Sequence, residues 1–365
     1  MKLKSKGMAM AMVATLILIG CSGDGGESGG DQSTEGEATL TIAAWAGPYA
    51  RAIREIFVPP FEQATGASVI VLDEGAETVD KILAAPADNP PFDLVVGDEY
   101  IHCYGLSSDT WERIDYGNIP RSEEIRQEFL DLADEDCKDN TYGVPFGAGF
   151  DVIIYNREAL GFTPEGWADF WRPEAQGKIG MDAAFWSHSL TPAAKVLGID
   201  PTTLEGGSSE LSKVFDKTAE LDVALWATVD SQQLNALKAG DVAIAQNYIQ
   251  NAIPLAAEDD RFDFVVPEEG TTGWIDYWMI ARGSQQQDLA EEFIDYLLDP
   301  QMQSEFAELN SYLMANEGAS SPGDELFPKN AVTGGAVQFF NYDVWLPNFF
   351  DENGAYTEFS RDVLG

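Results

Sequence analysis

Short apolar segments that suit strands alternate with segments that suit helices along the first part of this chain. This alternation constrains the fold more than any other feature of the sequence. Residues 40–45, 68–72 and 92–96 are apolar runs of strand length, whereas residues 49–61 and 78–83 between them favour helices. Apolar strands that alternate with helices favour a parallel sheet covered by helices on both faces. The sequence therefore predicts the α/β class.

The same alternation restarts after an irregular stretch, residues 106–140, and predicts a second α/β lobe. Strands are expected at residues 151–155, 178–181, 223–226, 242–245 and 273–280, and helices at residues 190–197, 209–221, 231–238 and 248–257. Two amphipathic helices follow, at residues 289–298 and 302–313. The chain is expected to cross between the lobes near residues 144–149 and again near residues 273–277.

These crossings define the expected domains. Residues 39–145 together with 275–315 form the first lobe, and residues 146–274 form the second. Residues 316–365 are expected to pack on the lobes as a C-terminal segment. Because open α/β sheets bind ligands at strand ends and crossovers, we expect a ligand between the lobes.

The N-terminus has the pattern of an export signal. Three lysines at positions 2, 4 and 6 precede an apolar run, residues 8–20, which is followed by Cys21. This run is shorter than the roughly 20 residues of a membrane-spanning helix, which favours a signal peptide over a membrane anchor. Residues 18–21, Leu-Ile-Gly-Cys, resemble the lipobox of bacterial lipoproteins. The resemblance implies that the signal peptide, residues 1–20, is removed and that the Cys21 thiol is lipidated.

Residues 21–38 are predicted to form a flexible acidic tether. They are rich in Gly, Ser and acidic residues and have no apolar periodicity, so they cannot bury enough surface to fold. Acyl chains on Cys21 would hold the protein at a membrane surface. We therefore expect an exported protein that is lipid-anchored in the bacterial cell envelope, either in the periplasm or on the outer face of the cell membrane.

The charge of the chain is strongly acidic, with 21 Lys and Arg against 62 Asp and Glu and a net charge of −41. Nucleic-acid binding is excluded as a function class, because phosphate contacts require a basic face. Such acidity is typical of a heavily solvated surface, as in adaptation to salt, and its field also favours the approach of a cationic ligand.

Cysteines and histidines are few. If lipidation uses Cys21, then Cys103 and Cys137 remain as an even pair in an oxidising compartment, which favours one disulfide over two buried thiols. The two histidines, His102 and His188, have no partners at metal-ligand spacing and leave little from which to build a His-based triad. We therefore expect neither a metal site nor a cofactor.

Seven blocks of sequence resemble one protein family. They cover residues 40–71, 92–97 (FDLVVG), 142–146 (YGVPF), 166–173 (GWADFWRP), 238–247 (KAGDVAIAQN), 273–281 (GWIDYWMIA) and 291–308 (EEFIDYLLDPQMQSEFAE). In this order they are similar to the spermidine/putrescine-binding proteins of bacterial ABC importers. The resemblance implies a two-lobed periplasmic-binding-protein fold of type II, with the ligand cleft between lobes joined by crossover strands. It also implies a non-catalytic monomer that captures a polyamine and delivers it to a permease and its ATPase.

Five candidate ligand residues lie at strand ends or in the second crossover. Trp45 ends the first strand, and Asp98 and Tyr100 follow the strand at 92–96. Trp274 and Asp276 match a Trp and an Asp that, in the polyamine binders, stack on the alkyl chain and pair with an ammonium group. This chemistry is reasonable, because a buried ammonium group needs a carboxylate and an aromatic face adds roughly 0.5–2 kcal/mol. The alternatives are core packing for the aromatic residues and a helix N-cap for Asp98.

The second lobe departs from the family pattern. Its aromatic candidates are Trp186 and Tyr248. After the strand at residues 178–181, where the family has an acidic pair, residues 182–187 contain only one acid, Asp182. The family also has an acidic residue where this chain has Gly47. Asp151 either supplies the missing charge or belongs to a turn. One terminal-amine pocket is therefore not reproduced, so the ligand could be shorter than spermidine or belong to another class of solute.

Two further function classes remain as alternatives. A lipid-anchored envelope hydrolase would need only two suitably spaced carboxylates, which so acidic a chain can supply anywhere. A structural surface lipoprotein would make no use of a Trp-lined crossover. The body of the chain, from residue 39 onward, lacks the glycine-rich nucleotide motifs and the serine elbow of hydrolases. We therefore expect a binding protein and no enzyme.

Overall fold

The computed structural model describes residues 38–133, 139–322 and 336–365. Its strands are β1 Thr39–Trp45, β2 Ser68–Glu74, β3 Leu94–Gly97, β4 Val144–Asn156, β5 Ile179–Asp182, β6 Val223–Ala227, β7 Ile244–Tyr248, β8 Phe262–Val265, β9 Thr271–Ile280, β10 Leu313–Met314 and β11 Val337–Phe339. Its α-helices are α1 Pro48–Ala52, α2 Val58–Thr65, α3 Thr78–Leu83, α4 Glu99–Ser107, α5 Gln127–Ala133, α6 Arg157–Leu160, α7 Trp186–Ser189, α8 Thr191–Leu197, α9 Ser209–Thr218, α10 Asp230–Ala239, α11 Ile249–Glu258, α12 Gln287–Leu297, α13 Pro300–Asn310, α14 Tyr342–Phe349 and α15 Ala355–Phe359. The predicted α/β class is confirmed.

The strands form one hydrogen-bonded sheet in the order β2-β1-β3-β9-β4-β7-β5-β6. At one end β1 is parallel to β2 and β3, and at the other end β5 is parallel to β6 and β7. Between these two parallel groups, β9 and β4 are antiparallel to each other, β9 is antiparallel to β3, and β4 is antiparallel to β7. Two parallel α/β groups are therefore joined through a central antiparallel pair.

Strand β4 belongs to both groups. Its first part, from Val144 to Phe150, pairs with β9, and its second part, from Asp151 to Tyr155, pairs with β7. The sequence predicted a strand only at residues 151–155, because the preceding Pro and Gly residues weaken the strand pattern. The predicted crossing near residues 144–149 is the first half of this long strand.

The helix that follows β1 differs from its prediction. Pro59 and Pro60 predict a break, but the chain stays helical through α1, a π-helical turn at Ile53–Phe57, and α2. Both prolines lie in the first turn of α2, where a missing backbone N–H costs little. The irregularity is the π-helical turn before them.

The C-terminal residues 336–365 contact both parts of the molecule. Strand β11 pairs with the start of β9. The Trp345 indole Nε1 donates a 3.2 Å hydrogen bond to the Pro201 carbonyl oxygen, and the Phe350 ring lies 4.7 Å from the Tyr104 ring of α4. The segment thus spans from α4, after β3, to the helices that follow β5.

Several predictions concern residues near the ends of the described ranges. Cys103 is buried in α4 and forms a disulfide, whereas its predicted partner Cys137 lies outside the described residues. The pairing of these two cysteines stays a prediction, as do the signal peptide, the lipidation of Cys21 and the tether, which lie outside the described residues apart from residue 38. Within the described part of the chain, no helix is long and apolar enough to cross a membrane.

Candidate functional site

Strands β4 and β9 form the floor of the candidate site. Their register places Gly149 opposite Trp274 and Gly147 opposite Asp276. Because side chains alternate between the two faces of a strand, Trp274 and Asp276 lie on the same face as Thr272. A tryptophan and a carboxylate of β9 therefore stand side by side above glycines of β4.

The two glycines make room for aromatic side chains, Trp274 at Gly149 and Tyr312 at Gly147. A Cβ atom at Gly149 would lie 2.2 Å from Cζ2 of Trp274, and one at Gly147 would lie 3.0 Å from Cδ1 of Tyr312. The Trp274 ring can lie flat against β4 only because residue 149 has no side chain.

We expect Gly149→Ala to displace the Trp274 ring and to lower the free energy of unfolding by about 1–3 kcal/mol through overpacking. Urea unfolding and tryptophan fluorescence would measure both effects. Gly117→Ala is the matched control, because a Cβ there meets only the Asp115 carboxylate at 3.0 Å. Equal stability and identical fluorescence of Gly149→Ala and wild type would contradict this account of the floor.

One end of the floor holds a buried acid. Asp276 is 1% exposed, and its Oδ1 accepts a 3.2 Å hydrogen bond from the Trp45 indole Nε1. Its Oδ2 is buried and has no hydrogen-bond partner among the described residues. Burial raises the pKa of Asp276 well above its ordinary value, Asp98 raises it further, and hydrogen bonds from Trp45 and Tyr312 only partly offset this. In the described part of the chain, this carboxylate has no counter-charge.

Asp98 is a second acid at this end. It caps the N-terminus of α4, where its Oδ1 accepts a 3.1 Å hydrogen bond from the Ile101 backbone N–H. Burial raises the pKa of Asp98 to about 6. Among the described residues neither Asp98 nor Asp276 has a Lys or Arg partner. This end of the floor is therefore acidic, with no compensating Lys or Arg among the described residues.

The opposite end of the floor is organised around Asp151, which is fully buried in β4. Its Oδ2 contacts His188 Nδ1 at 2.7 Å and accepts a 2.5 Å hydrogen bond from Thr272 Oγ1, while its Oδ1 accepts a 2.7 Å bond from Gln246 Nε2. Asp151 is thus neither a turn residue nor an unpaired charge. Burial alone would lower the pKa of His188, but its net shift is upward because of the neighbouring carboxylates, Asp151 first.

Asp182 at the end of β5 is also saturated with hydrogen bonds. Its Oδ1 accepts bonds from the backbone N–H groups of Ala184 at 2.7 Å and Phe185 at 3.1 Å, and its Oδ2 accepts a 2.7 Å bond from the Tyr248 hydroxyl. The Tyr248 ring meets the Trp274 ring edge to face at 5.0 Å. Asp182 therefore orients Tyr248, which in turn supports Trp274.

Aromatic rings enclose His188 at this end. Its imidazole lies 6.1 Å from the rings of Trp274 and Tyr248, and 4.7 Å from the ring of Phe340. Phe340 belongs to the C-terminal segment, which thereby contributes to the wall of the site. The chain carries no group of three metal-ligating side chains within the described ranges.

The structure brings six of the eight predicted ligand residues to this floor. The Asp276 group consists of Trp45, Asp98, Trp274 and Asp276. The group at the opposite end consists of Asp151 and Tyr248. Tyr100 packs instead on the Phe349 ring of α14 at 4.8 Å, and burial raises its pKa to about 12. Trp186 lies in an aromatic cluster with Trp345 and Phe359, at 5.3 and 5.1 Å, and has no ring contact with Trp274.

Sequence reasoning did not select His188, Gln246 or Phe340. His188 was judged only by metal-ligand spacing, and its carboxylate partner lies 37 residues away on a crossover strand. Asp182 stands out in the sequence only as a departure from the family pattern and is not one of the predicted site residues. The sequence signal that could have indicated His188 is the scarcity of histidine, since only two His occur in the chain.

Known proteins resemble this chain in sequence and in fold. Residues 57–332 match the sequence profile of a family described as bacterial extracellular solute-binding protein. The chain is 24% identical over 284 residues to the gamma-aminobutyric acid-binding protein of Pseudomonas aeruginosa, covering 77% of this chain and 78% of the relative. It is 25% identical over 277 residues to the spermidine/putrescine-binding periplasmic protein of Escherichia coli, covering 72% and 76%.

Solved structures extend the similarity to the whole fold. The Tp0655 (TpPotD) lipoprotein of Treponema pallidum superposes with a TM-score of 0.72 at 18% identity, covering 89% of this chain and 98% of that one. The spermidine/putrescine ABC transporter substrate-binding protein PotD of Streptococcus pneumoniae gives a TM-score of 0.68 at 22% identity, covering 88% and 99%. The two-lobed α/β architecture predicted from the sequence is confirmed.

Proposed function

Because this chain belongs to the bacterial extracellular solute-binding protein family, we propose that it is the substrate-binding subunit of an ABC importer that captures a small organic cation. The cation binds between the lobes and is then delivered to a permease and its ATPase. Lipidation of Cys21 anchors the protein in the cell envelope while it does so. The single observation that carries the ligand class is the buried Oδ2 of Asp276, which has no partner among the described residues.

An ammonium group fits the environment of Asp276 for a physical reason. An ionised carboxylate that is buried without a partner is costly, and a cation with several N–H donors removes that cost. Asp98 adds a second negative charge at the same end. The faces of Trp45 and Trp274 can contribute roughly 0.5–2 kcal/mol each through cation–π contact.

The relatives support the same ligand chemistry. Gamma-aminobutyric acid, spermidine and putrescine, after which the similar proteins are named, all carry a primary ammonium group. The resemblance found in the sequence implies a di- or polyamine of the putrescine and spermidine type. A different small solute with an ammonium group is the second candidate, because the acids at the far end, Asp151 and Asp182, are already saturated by protein donors.

Titration calorimetry of the mature chain with amines of different length and with neutral alcohols of matched length tests this proposal. Amines should bind, and the alcohols should not, because they would leave Asp276 buried without a counter-charge. Trp274→Ala should weaken amine binding by about 1–3 kcal/mol through lost packing and cation–π contact.

Leu83→Ala is a suitable control for Trp274→Ala, because Leu83 is an apolar residue that is 50% exposed on α3. Its affinity for amines should equal that of the wild type. Binding of the alcohols with the same affinity as the amines would contradict the assignment of a cationic ligand.

A further inference from the structure

The far end of the floor, around Asp151, and the Asp276 end leave different hydrogen-bonding groups available to a ligand. Both carboxylates there are occupied: Asp151 holds His188, Gln246 and Thr272, and Asp182 holds Tyr248 and two backbone N–H groups. A second ammonium group would therefore meet carboxylates that protein donors already satisfy.

One polar atom that stays available there belongs to His188. Its Nδ1 contacts Asp151 at 2.7 Å, and in the part of the chain that the structure describes its Nε2 has no hydrogen bond. The contact with Asp151 places a proton on Nδ1, so the imidazolium form carries its second proton on Nε2. The side chain is 5% exposed and lies among the rings of Trp274, Tyr248 and Phe340. A donor in such an apolar cage requires an acceptor from the ligand.

The two ends are therefore complementary to different chemical groups. Among the described residues, Oδ2 of Asp276 is an acceptor without a donor, and Nε2 of a protonated His188 is a donor without an acceptor. They lie near opposite ends of one face of β9, since Thr272, which bonds to Asp151, precedes Asp276 by four residues, or ~13 Å of strand. Side chains that reach inward from both ends shorten the gap that a ligand must span.

We propose that the ligand is a short ω-amino acid, whose ammonium group pairs with Asp276 and whose carboxylate accepts a hydrogen bond from His188 Nε2. This inference rests on the proposed function and narrows its ligand class. The general surplus of carboxylates attracts any cation to the cleft. Saturation of Asp151 and Asp182 by protein donors then selects, at the far end, a ligand group that accepts hydrogen bonds.

Calorimetry with three probes of the same carbon length tests the proposal on the unmodified mature chain. The probes are 4-aminobutanoate, 1,4-diaminobutane and 1-aminobutane, which differ only in the far end. We expect 4-aminobutanoate to bind at least about tenfold more tightly than either of the others, the ratio that one charge-assisted hydrogen bond provides. Affinity for 1,4-diaminobutane equal to or above that for 4-aminobutanoate would overturn the proposal.

His188→Gln removes the charge but leaves an amide that can still bond to Asp151. This variant should lose the preference for 4-aminobutanoate over 1-aminobutane. His102→Gln, at the other His of the chain, should keep that preference, because His102 stacks on Tyr277 away from Asp151. An unchanged preference in His188→Gln would also overturn the proposal.

These results distinguish failure of the ω-amino acid proposal from failure of the cation-binding function. If amines bind but the diamine is preferred, the ω-amino acid is wrong and the cation-binding function stands. If none of the three probes binds, both the cation-binding function and the ω-amino acid are wrong.

Discussion

Replacing Asp276 with asparagine should weaken the binding of ammonium ligands by about 2–5 kcal/mol, the loss typical when one partner of a buried charge pair is removed. The substitution keeps the shape of the side chain and its contact with the Trp45 indole, so the change in affinity reports the charge. Titration calorimetry with a primary amine measures it. Asp263→Asn, which changes a partly exposed acid on β8, should leave the affinity unchanged.

The stability of the Asp276→Asn variant provides an independent check. The pKa of Asp276 is raised in the folded chain, so the folded state binds its proton more tightly than the unfolded state does. At any pH above the ordinary pKa of an Asp, the unliganded wild type bears a free-energy cost, because it must either bury the charge or keep the carboxyl protonated, and asparagine does neither. The variant should therefore be at least as stable as wild type at neutral pH while it binds amines poorly.

The same pKa shift predicts how ligand affinity depends on pH. Protons and ammonium groups compete for the Asp276 carboxylate, so amine affinity should fall as the pH is lowered through its raised pKa. Asp276→Asn should lose this dependence. A wild-type affinity that is constant down to acidic pH, or a variant that binds amines normally, would show that Asp276 does not hold the ligand.

Asp151→Ala should lower the free energy of unfolding by about 3–5 kcal/mol, because it leaves His188 buried without its counter-ion. It also removes the acceptor of Gln246 Nε2 and Thr272 Oγ1. Urea unfolding measures the loss as a shift of the midpoint. Glu258→Gln, which breaks the exposed pair with Lys238, should change the stability by less than about 1 kcal/mol.

The pH dependence of this loss follows from His188. Its pKa is raised in the folded chain from a reference value of 6.5, so its charged form adds stability that is fully present below that value. This contribution disappears as the pH rises through the raised pKa. The stability difference between wild type and Asp151→Ala should therefore narrow at alkaline pH, and a constant difference would show that the ion pair contributes little.

Local patterns predicted the fold where strands and helices are set by neighbouring residues. The helix at Thr78–Leu83 and the strand at Thr39–Trp45 agree with prediction to within a residue. The short strands β8 and β11 were missed, because Phe262–Val265 and Val337–Phe339 are strands only through pairing with distant β4 and β9. The family is one of solute-binding proteins and not of enzymes, as the sequence indicated.

The site was predictable only in part, for the same reason. Trp45, Asp98, Trp274 and Asp276 stand at strand ends or on a crossover strand, where local patterns and family resemblance both indicated them. The contact of His188 with Asp151 depends on how α7 meets β4, and no sequence spacing encodes that meeting. Contacts between buried residues that are distant in sequence can be predicted only when the topology of the fold is known.

The contacts of the C-terminal segment have a consequence for biosynthesis. The aromatic cluster around Trp186 includes Trp345 and Phe359, and Trp345 also bonds to Pro201 across 144 residues of sequence. Because ribosomes synthesise proteins from the N-terminus, this cluster cannot close until Phe359 has been added to the chain. Contacts between such distant residues also form slowly. The segment that contains Trp345 and Phe359 therefore determines when the aromatic core around Trp186 is complete and can resist proteases.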